Sequence, residues 1–125
     1  MSFIAIDTLK QYAISQLIAR GASEKEAKIV AEDYLDADLR GRSSHGFVSF
    51  SVALSAFPHA GHYQVQEYQG SVLSIEGNGD CGHVVAREAI DLALPHLSQQ
   101  KLYAIGIREM TRFNCPGAIA RYGAQ

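Results

Sequence analysis

The sequence predicts an α+β fold, or the opening of a mixed α/β fold, from three observations. Apolar residues at helical spacing occupy the first half of the chain. Two segments in which apolar and polar residues alternate, as in β-strands, come next. The chain then continues with a predicted helix, a strand and the beginning of another helix. Because the last strand has no predicted neighbour to pair with, we expect an incomplete mixed sheet. We expect residues 1–125 to form a single unit, with a helical segment over 1–60 and a sheet-containing segment over 61–125.

Three helices are predicted in the first 60 residues. The first begins at Asp7, a candidate N-cap, and the second begins with a capping box formed by Ser23 and Glu26. The third covers residues 43–57, where apolar positions are spaced by three and four, and ends near Pro58.

The remaining chain alternates between strands and helices. Residues 63–68 and 71–76 predict a β-hairpin whose first strand is half-buried. A glycine-rich loop over 77–82 leads into the next helix. Residues 102–107 predict a buried strand, and a short helix over 118–122 follows.

Composition excludes several classes of protein. The net charge is −2, with 11 Lys and Arg against 13 Asp and Glu, so we expect no nucleic-acid partner. No apolar run is long enough for a membrane span, and the N-terminus lacks a signal-peptide layout, so we expect a cytoplasmic protein. Cys81 and Cys115 are then expected to be free thiols, small buried or loop residues and not nucleophiles.

The strongest candidate for chemistry is the polar turn DLRGRSSHG at residues 38–46. His45 is suited to proton exchange near neutral pH, although a helix beginning there, and the nearby Arg42, would oppose a positive charge on its imidazole. Ser44 could hydrogen-bond a substrate oxygen or hold the imidazole. Arg40 and Arg42 could bind a carboxylate.

The same turn also has a purely structural interpretation. Paired serines before a helix are ordinary capping residues, and arginines near a helix C-terminus complement its dipole. The local residues alone leave both interpretations open.

The turn resembles a family signature. DLRGRSSHG is similar to the DLRGxxSHG motif of the malate/L-lactate dehydrogenase family, a non-Rossmann group of keto-acid reductases. EGNGDCGHVVAREAIDLAL, residues 76–94, resembles the family's DGxxGxGxxxAxxAM stretch, and LYAIGIRE, residues 102–109, lies where the family has its next strand. The resemblance covers nearly the whole chain, but only the N-terminal part of a family member.

The resemblance implies an NAD(P)-dependent oxidoreductase that interconverts a small 2-oxo acid and a 2-hydroxy acid, and it implies a homodimer. The acid/base role falls on His45, with Ser44 beside it at the substrate carbonyl. Arg42 and Arg112 are the candidate substrate-binding residues. The resemblance indicates no NAD- or NADP-binding residues within this chain, so most of the cofactor site is expected outside it.

Two departures from the family pattern motivate an alternative. Ser49 stands where the family has a carboxylate-binding arginine, and Arg112 stands where it has a histidine near the substrate. Glu109, Met110 and Asn114 also differ from the family's loop. Because a guanidinium has no acid/base role, the chain is alternatively a catalytically inactive, truncated remnant or a dimerisation module.

Weaker motifs complete the list of candidates. Gly77, Gly79 and Gly82 match a GxGxxG phosphate loop, although a tight strand–helix turn is favoured. We expect His83 to face the loop or solvent.

His59 and His62 have a spacing that could bind a metal. They lack an evident third ligand, so we predict no metal site. Phe47, Phe50 and Phe57 are predicted to be core residues.

Overall fold

The chain alternates helices with a small sheet, which confirms the predicted fold class. In the computed structural model, which describes residues 2–99 and 102–125, three strands form a mixed sheet. Within those residues no helix has the length and apolarity that crossing a membrane requires. The elements are α1 (Ile6–Ala19), α2 (Glu24–Leu39), α3 (Phe50–Ser55), β1 (Gln64–Gln69), β2 (Val72–Glu76), α4 (Gly82–Ala93), β3 (Ala104–Arg108) and α5 (Pro116–Gly123).

The first two helices form an antiparallel pair whose N-termini differ in capping. The predicted capping box is confirmed: Ser23 Oγ accepts the Glu26 amide at 3.2 Å, and the Glu26 carboxylate accepts the Ser23 amide at 2.7 Å. The prediction that Asp7 is the N-cap of α1 is wrong, because the helix begins earlier, after Ala5. Asp7 instead lies in the first turn, where a carboxylate complements the helix dipole.

The predicted third helix is wrong in its first half. A single 3₁₀ turn, Ser43–His45, ends at Gly46, whose backbone is extended, and α3 begins only at Phe50 after a second 3₁₀ turn. The Asp38 carboxylate accepts the amide of Phe47 at 2.8 Å and so fixes the chain between the two turns. The α-helix on which the predicted dipole effect depended therefore does not begin at His45.

The sheet is exposed more than the sequence indicates. The hairpin of β1 and β2 is antiparallel as predicted, and β2 pairs with β3 in parallel, with Leu73 opposite Ile105. Every residue of β1 is exposed, and β3 alternates between exposed and half-buried residues. The predictions of a half-buried first strand and a buried last strand are therefore wrong, because both are edge strands within the described residues.

Two apolar cores meet at α4. The helical core centres on Tyr34, and the second core lies between α4 and the sheet. Val84 contacts the helical core while Val85 contacts the sheet core, so α4 joins the two. The predicted aromatic core is confirmed, since Phe50 and Phe57 are buried and Phe47 packs against them.

A buried polar network connects α2 to α4. Asp33 is fully buried, and its carboxylate lies 2.8 Å from His83 Nδ1 and accepts from Arg87 Nε at 3.1 Å. The prediction that His83 faces the loop or solvent is wrong, because its position in the first turn of α4 directs the imidazole towards α2. The buried carboxylate of Asp33 requires hydrogen-bond partners, and His83 and Arg87 supply them.

This network yields a stability prediction. Replacing Asp33→Ala leaves the buried His83 without its carboxylate and leaves the half-buried Arg87 with Glu32 alone, so we expect the free energy of unfolding to fall by about 3–5 kcal/mol. Urea denaturation measures the change. Asp7→Ala, which removes an exposed carboxylate, is the matched control and should cost less than about 1 kcal/mol. Equal losses in the two variants would contradict the role assigned to the network.

Candidate active site

The Ser44–His45 pair lies on the exposed turn after α2. Ser44 Oγ is 3.0 Å from His45 Nδ1, and both residues are exposed. The backbone of the turn is nevertheless fixed, since the His45 amide donates to the Arg42 carbonyl at 2.9 Å and the His45 carbonyl accepts from the Cys115 thiol at 3.1 Å. A fixed backbone therefore presents an imidazole whose Nε2 makes no hydrogen bond within the described residues.

Gly46 is needed for the path of this turn. A Cβ atom at that position would overlap the carboxylate of Asp38, which accepts the Phe47 amide. The glycine thus makes room for an internal carboxylate, and no ligand is needed to explain it. Asp38 in turn lies in the last part of α2, so the helix end sets the position of the histidine.

The imidazole of His45 lines a small cavity of about 60 Å³ together with two arginines. Arg42 forms no ion pair within the described part of the chain, whereas Arg121 of α5 pairs with Asp36. The cavity is lined by Ala37, Arg42, His45, Pro116, Gly117, Ala118 and Arg121. The arrangement places two permanent positive charges beside a proton-exchanging group.

Arg121 is a site residue that sequence reasoning missed. It is a basic residue in the last turn of α5, a position where arginine commonly complements the helix dipole. No local motif distinguishes it from a capping residue. Only the packing of α5 against α2 brings its guanidinium to His45.

The other predicted site residues lie elsewhere. Arg112 is exposed on the loop between β3 and α5 and does not line the His45 cavity. Arg40 pairs with Asp36 at 2.9 Å, also outside this cavity. Ser49 Oγ donates to the Gly46 carbonyl at 3.0 Å and so supports the turn.

The glycine-rich loop is a tight turn and not a phosphate cradle. The Gly77 amide donates to the Arg108 carbonyl at 2.7 Å, the Gly79 amide donates to the next carbonyl along, and the Gly82 amide donates to Thr111 Oγ1 at 3.0 Å. These amides are therefore unavailable to a phosphate. The cavity beside the imidazole is also far below the roughly 300–1,000 Å³ of typical ligand pockets, so neither that cavity nor the glycine-rich loop fits a dinucleotide.

The two cysteines are buried thiols, as predicted. Burial raises the pKa of Cys81 to about 11. Burial, with the nearby carboxylates of Asp33 and Asp38, raises the pKa of Cys115 to about 12. Burial and a raised pKa both disfavour the thiolate, the form in which a cysteine acts as a nucleophile.

The two histidines after Pro58 have a third neighbour that the sequence did not reveal. Asp80, 18 residues further along from His62, brings its carboxylate within 4.8 Å of ligand nitrogens of His59 and His62. The prediction that no third ligand accompanies the pair is therefore wrong.

Comparison with known proteins assigns the chain to a family. The family model described as malate/L-lactate dehydrogenase matches residues 4–125. The malate/(S)-sulfolactate dehydrogenase of Methanothermus fervidus is 33% identical over 109 residues, which are 83% of this chain and 32% of that protein. The L-sulfolactate dehydrogenase of Methanothermobacter thermautotrophicus is 32% identical over 106 residues, 81% of this chain and 31% of that protein.

A solved structure agrees with these relatives. The sulfolactate dehydrogenase from Methanocaldococcus jannaschii superposes with a TM-score of 0.85 at 25% identity, covering 96% of this chain and 36% of that one. The chain thus spans about a third of the length of the relatives it matches. With a family match over nearly all its residues, the chain belongs to the malate/L-lactate dehydrogenase family.

Proposed function

We propose that this chain supplies the proton-transfer and carboxylate-binding groups of an NAD(P)-dependent oxidoreductase that interconverts a small 2-oxo acid and the matching 2-hydroxy acid. The observation that carries the proposal is the His45 cavity, in which an imidazole held by Ser44 lies beside the guanidinium groups of Arg42 and Arg121. Membership of a family of hydroxy-acid dehydrogenases supports the same substrate class.

The Ser44–His45 contact leaves one nitrogen of the imidazole, Nε2, available for proton transfer. If Nδ1 of His45 donates to Ser44 Oγ, the remaining nitrogen, Nε2, is protonated in the imidazolium form and free in the neutral form, so it is the nitrogen that exchanges a proton with the substrate. In reduction, Nε2 gives that proton to the carbonyl oxygen of the 2-oxo acid; in oxidation, it takes the proton from the hydroxyl group. Of the two roles considered for Ser44, the 3.0 Å contact favours holding the imidazole.

The arginines suit the carboxylate end of such a substrate. A guanidinium presents parallel N–H donors that match a carboxylate. Arg42 has no competing ion pair within the described residues, while Arg121 shares the carboxylate of Asp36 with Arg40. We propose Arg42 and Arg121 as substrate-binding residues; Arg112 stays a prediction, because its exposed loop lies outside the cavity.

The cofactor is proposed on family membership. When bound, a nicotinamide cofactor, NAD or NADP, supplies the hydride that reduces the carbonyl carbon. Since neither the His45 cavity nor the glycine-rich loop fits a dinucleotide, protein groups beyond them would hold it, and a second subunit of the homodimer that the resemblance implies is one source.

The relatives reported above are all described as dehydrogenases, which favours an enzyme over a non-catalytic dimerisation module. Ser49, which stands where the family has a carboxylate-binding arginine, also bears on whether the chain is part of an enzyme. Its hydroxyl is bonded to the turn and cannot form the bidentate carboxylate contact of an arginine. Arg42 and Arg121, which both line the cavity, are the groups available to compensate.

The acid/base role of His45 gives an activity prediction. His45→Gln removes the exchangeable proton, so we expect kcat for NAD(P)H-dependent reduction of a 2-oxo acid such as pyruvate or glyoxylate to fall about 100- to 10,000-fold. Steady-state kinetics on the purified native protein measures the change. His96→Gln, at an exposed histidine away from the cavity, is the matched control and should leave kcat unchanged.

Two results would contradict the assignment at different levels. Equal kcat values for the wild-type protein and His45→Gln would remove His45 from its role. Absence of any NAD(P)H-dependent reduction of 2-oxo or oxidation of 2-hydroxy acids by the wild-type protein would contradict the function itself.

The carboxylate role of Arg121 gives a second activity prediction. Because a charge-assisted hydrogen bond contributes about 1.5–3 kcal/mol, Arg121→Gln should raise KM for the 2-oxo acid about 10- to 100-fold, with a smaller change in kcat. Arg40→Gln is the matched control, since it removes the other arginine that pairs with Asp36 but not one that lines the cavity. A similar rise in KM for both variants would show that Arg121 acts only through Asp36.

A further inference from the structure

His59, His62 and Asp80 form a cluster of metal-ligating atoms that takes no part in the proposed reaction. His59 Nε2 lies 3.5 Å from Asp80 Oδ1, and His62 Nδ1 lies 3.8 Å from Asp80 Oδ2. All three ligand atoms fall within 4.8 Å of one another. Zinc–ligand bonds of about 2.0–2.1 Å in tetrahedral geometry correspond to edges of about 3.3 Å, so a small adjustment converts this cluster into three ligands of one ion.

The charges around the cluster favour a cation. The carboxylates of Asp80 and Glu26 are 4% and 14% exposed, and Glu26 Oε1 lies 2.8 Å from His59 Nε2. Within the described residues, no lysine or arginine forms an ion pair with either of them; Lys25, the nearest basic residue in sequence to Glu26, pairs with Glu88. Backbone amides of Ser23, Tyr63 and Cys81 donate to these carboxylates, but within the described residues no permanent positive charge balances them, so a divalent cation would be favourable beside them.

The cluster is held together by packing of two loops. The Asn78 side chain donates to the His62 carbonyl at 2.9 Å, and Asp80 Oδ2 accepts the Tyr63 amide at 3.0 Å. A Cβ on Gly61 would lie only 2.9 Å from the Asn78 carbonyl, so the backbones approach as closely as glycine allows. The loops are therefore fixed by contacts that do not need the metal.

The cluster combines one fixed histidine with one that can move. His59 is about nine-tenths buried, whereas the side chain of His62 is 84% exposed and free to rotate towards the carboxylate. A cavity of about 230 Å³, lined in part by His62, Asp80 and Glu26, opens beside the cluster. That opening gives an ion a path of entry and gives a water molecule room to complete its coordination.

We propose that His59, His62 and Asp80 bind a divalent transition-metal ion of the zinc class, with Glu26 as a fourth or hydrogen-bonding carboxylate. Two imidazoles with a carboxylate favour zinc, or the similar cobalt, over magnesium and calcium, which prefer oxygen ligands. The ion would connect the loop before β1 to the turn before α4 and to the N-terminus of α2. None of these residues lines the His45 cavity.

Zinc binding by the purified native protein tests the proposal. After treatment with a chelator and its removal, the protein should bind one zinc ion per chain in isothermal titration calorimetry, and excess Mg²⁺ should not displace it. Because the ion binds the folded state, the thermal unfolding midpoint should rise with zinc concentration.

Variants separate the cluster from other sources of zinc binding. His62→Ala should weaken zinc binding at least about tenfold while leaving the metal-free protein folded, because this side chain is exposed. The likewise exposed His96→Ala is the matched control and should bind zinc like the wild-type protein. Asp80→Asn should also lose binding; its metal-free unfolding midpoint is measured in parallel.

X-ray absorption identifies the ligands directly. We expect nitrogen and oxygen scatterers at about 2.0–2.1 Å with the signature of imidazole, and no sulfur at about 2.3 Å. A sulfur shell would assign the zinc to Cys81 or Cys115 and overturn the proposal. Absence of saturable zinc binding, or unchanged binding in His62→Ala, would also overturn it.

Discussion

The hydrogen bond between the Asp38 carboxylate and the Phe47 amide fixes the turn on which the candidate active site depends. It spans Gly46, the one residue of the turn whose lack of a side chain lets the carboxylate reach the backbone. Without it, the polar segment after α2 would be free to continue towards α3 as the helix that its apolar spacing indicates. With it, His45 is held at the mouth of a cavity.

Asp38 is one of three aspartates through which α2 organises its neighbours. Asp33 holds α4 through His83 and Arg87, and Asp36 holds α5 through Arg121. Spaced two or three residues apart, these side chains leave the helix in different directions. One helix therefore determines where the proton-transfer turn, the second arginine and the sheet-supporting helix lie relative to one another.

Local patterns predicted the features that short segments determine by themselves. The capping box at Ser23, the hairpin and the Ser44–His45 pair are all encoded within a few residues. The sequence did not predict the loss of the third helix, the burial of His83 or the position of Arg121, because each depends on a partner more than eight residues away. The burial of the strands was predicted wrongly for the same reason. Alternation of apolar and polar residues predicts that a strand has two different faces, but the neighbouring strands and helices decide which of these faces is covered.

The two polar sites differ in how far the family pattern accounts for them. Ser44 and His45 lie in the segment that resembles the family's signature, so their exposure and pairing fit the proton transfer proposed for them. Asp80 stands where the family's DGxxGxG stretch has its second glycine, and a glycine could not supply a carboxylate to His59 and His62. Since the loops around Asp80 are held by their own backbone contacts, a change at that single position can add a ligand without disturbing α4 or the sheet. The proposed metal site is therefore separable from the proposed hydride chemistry, and one can vary while the other is retained.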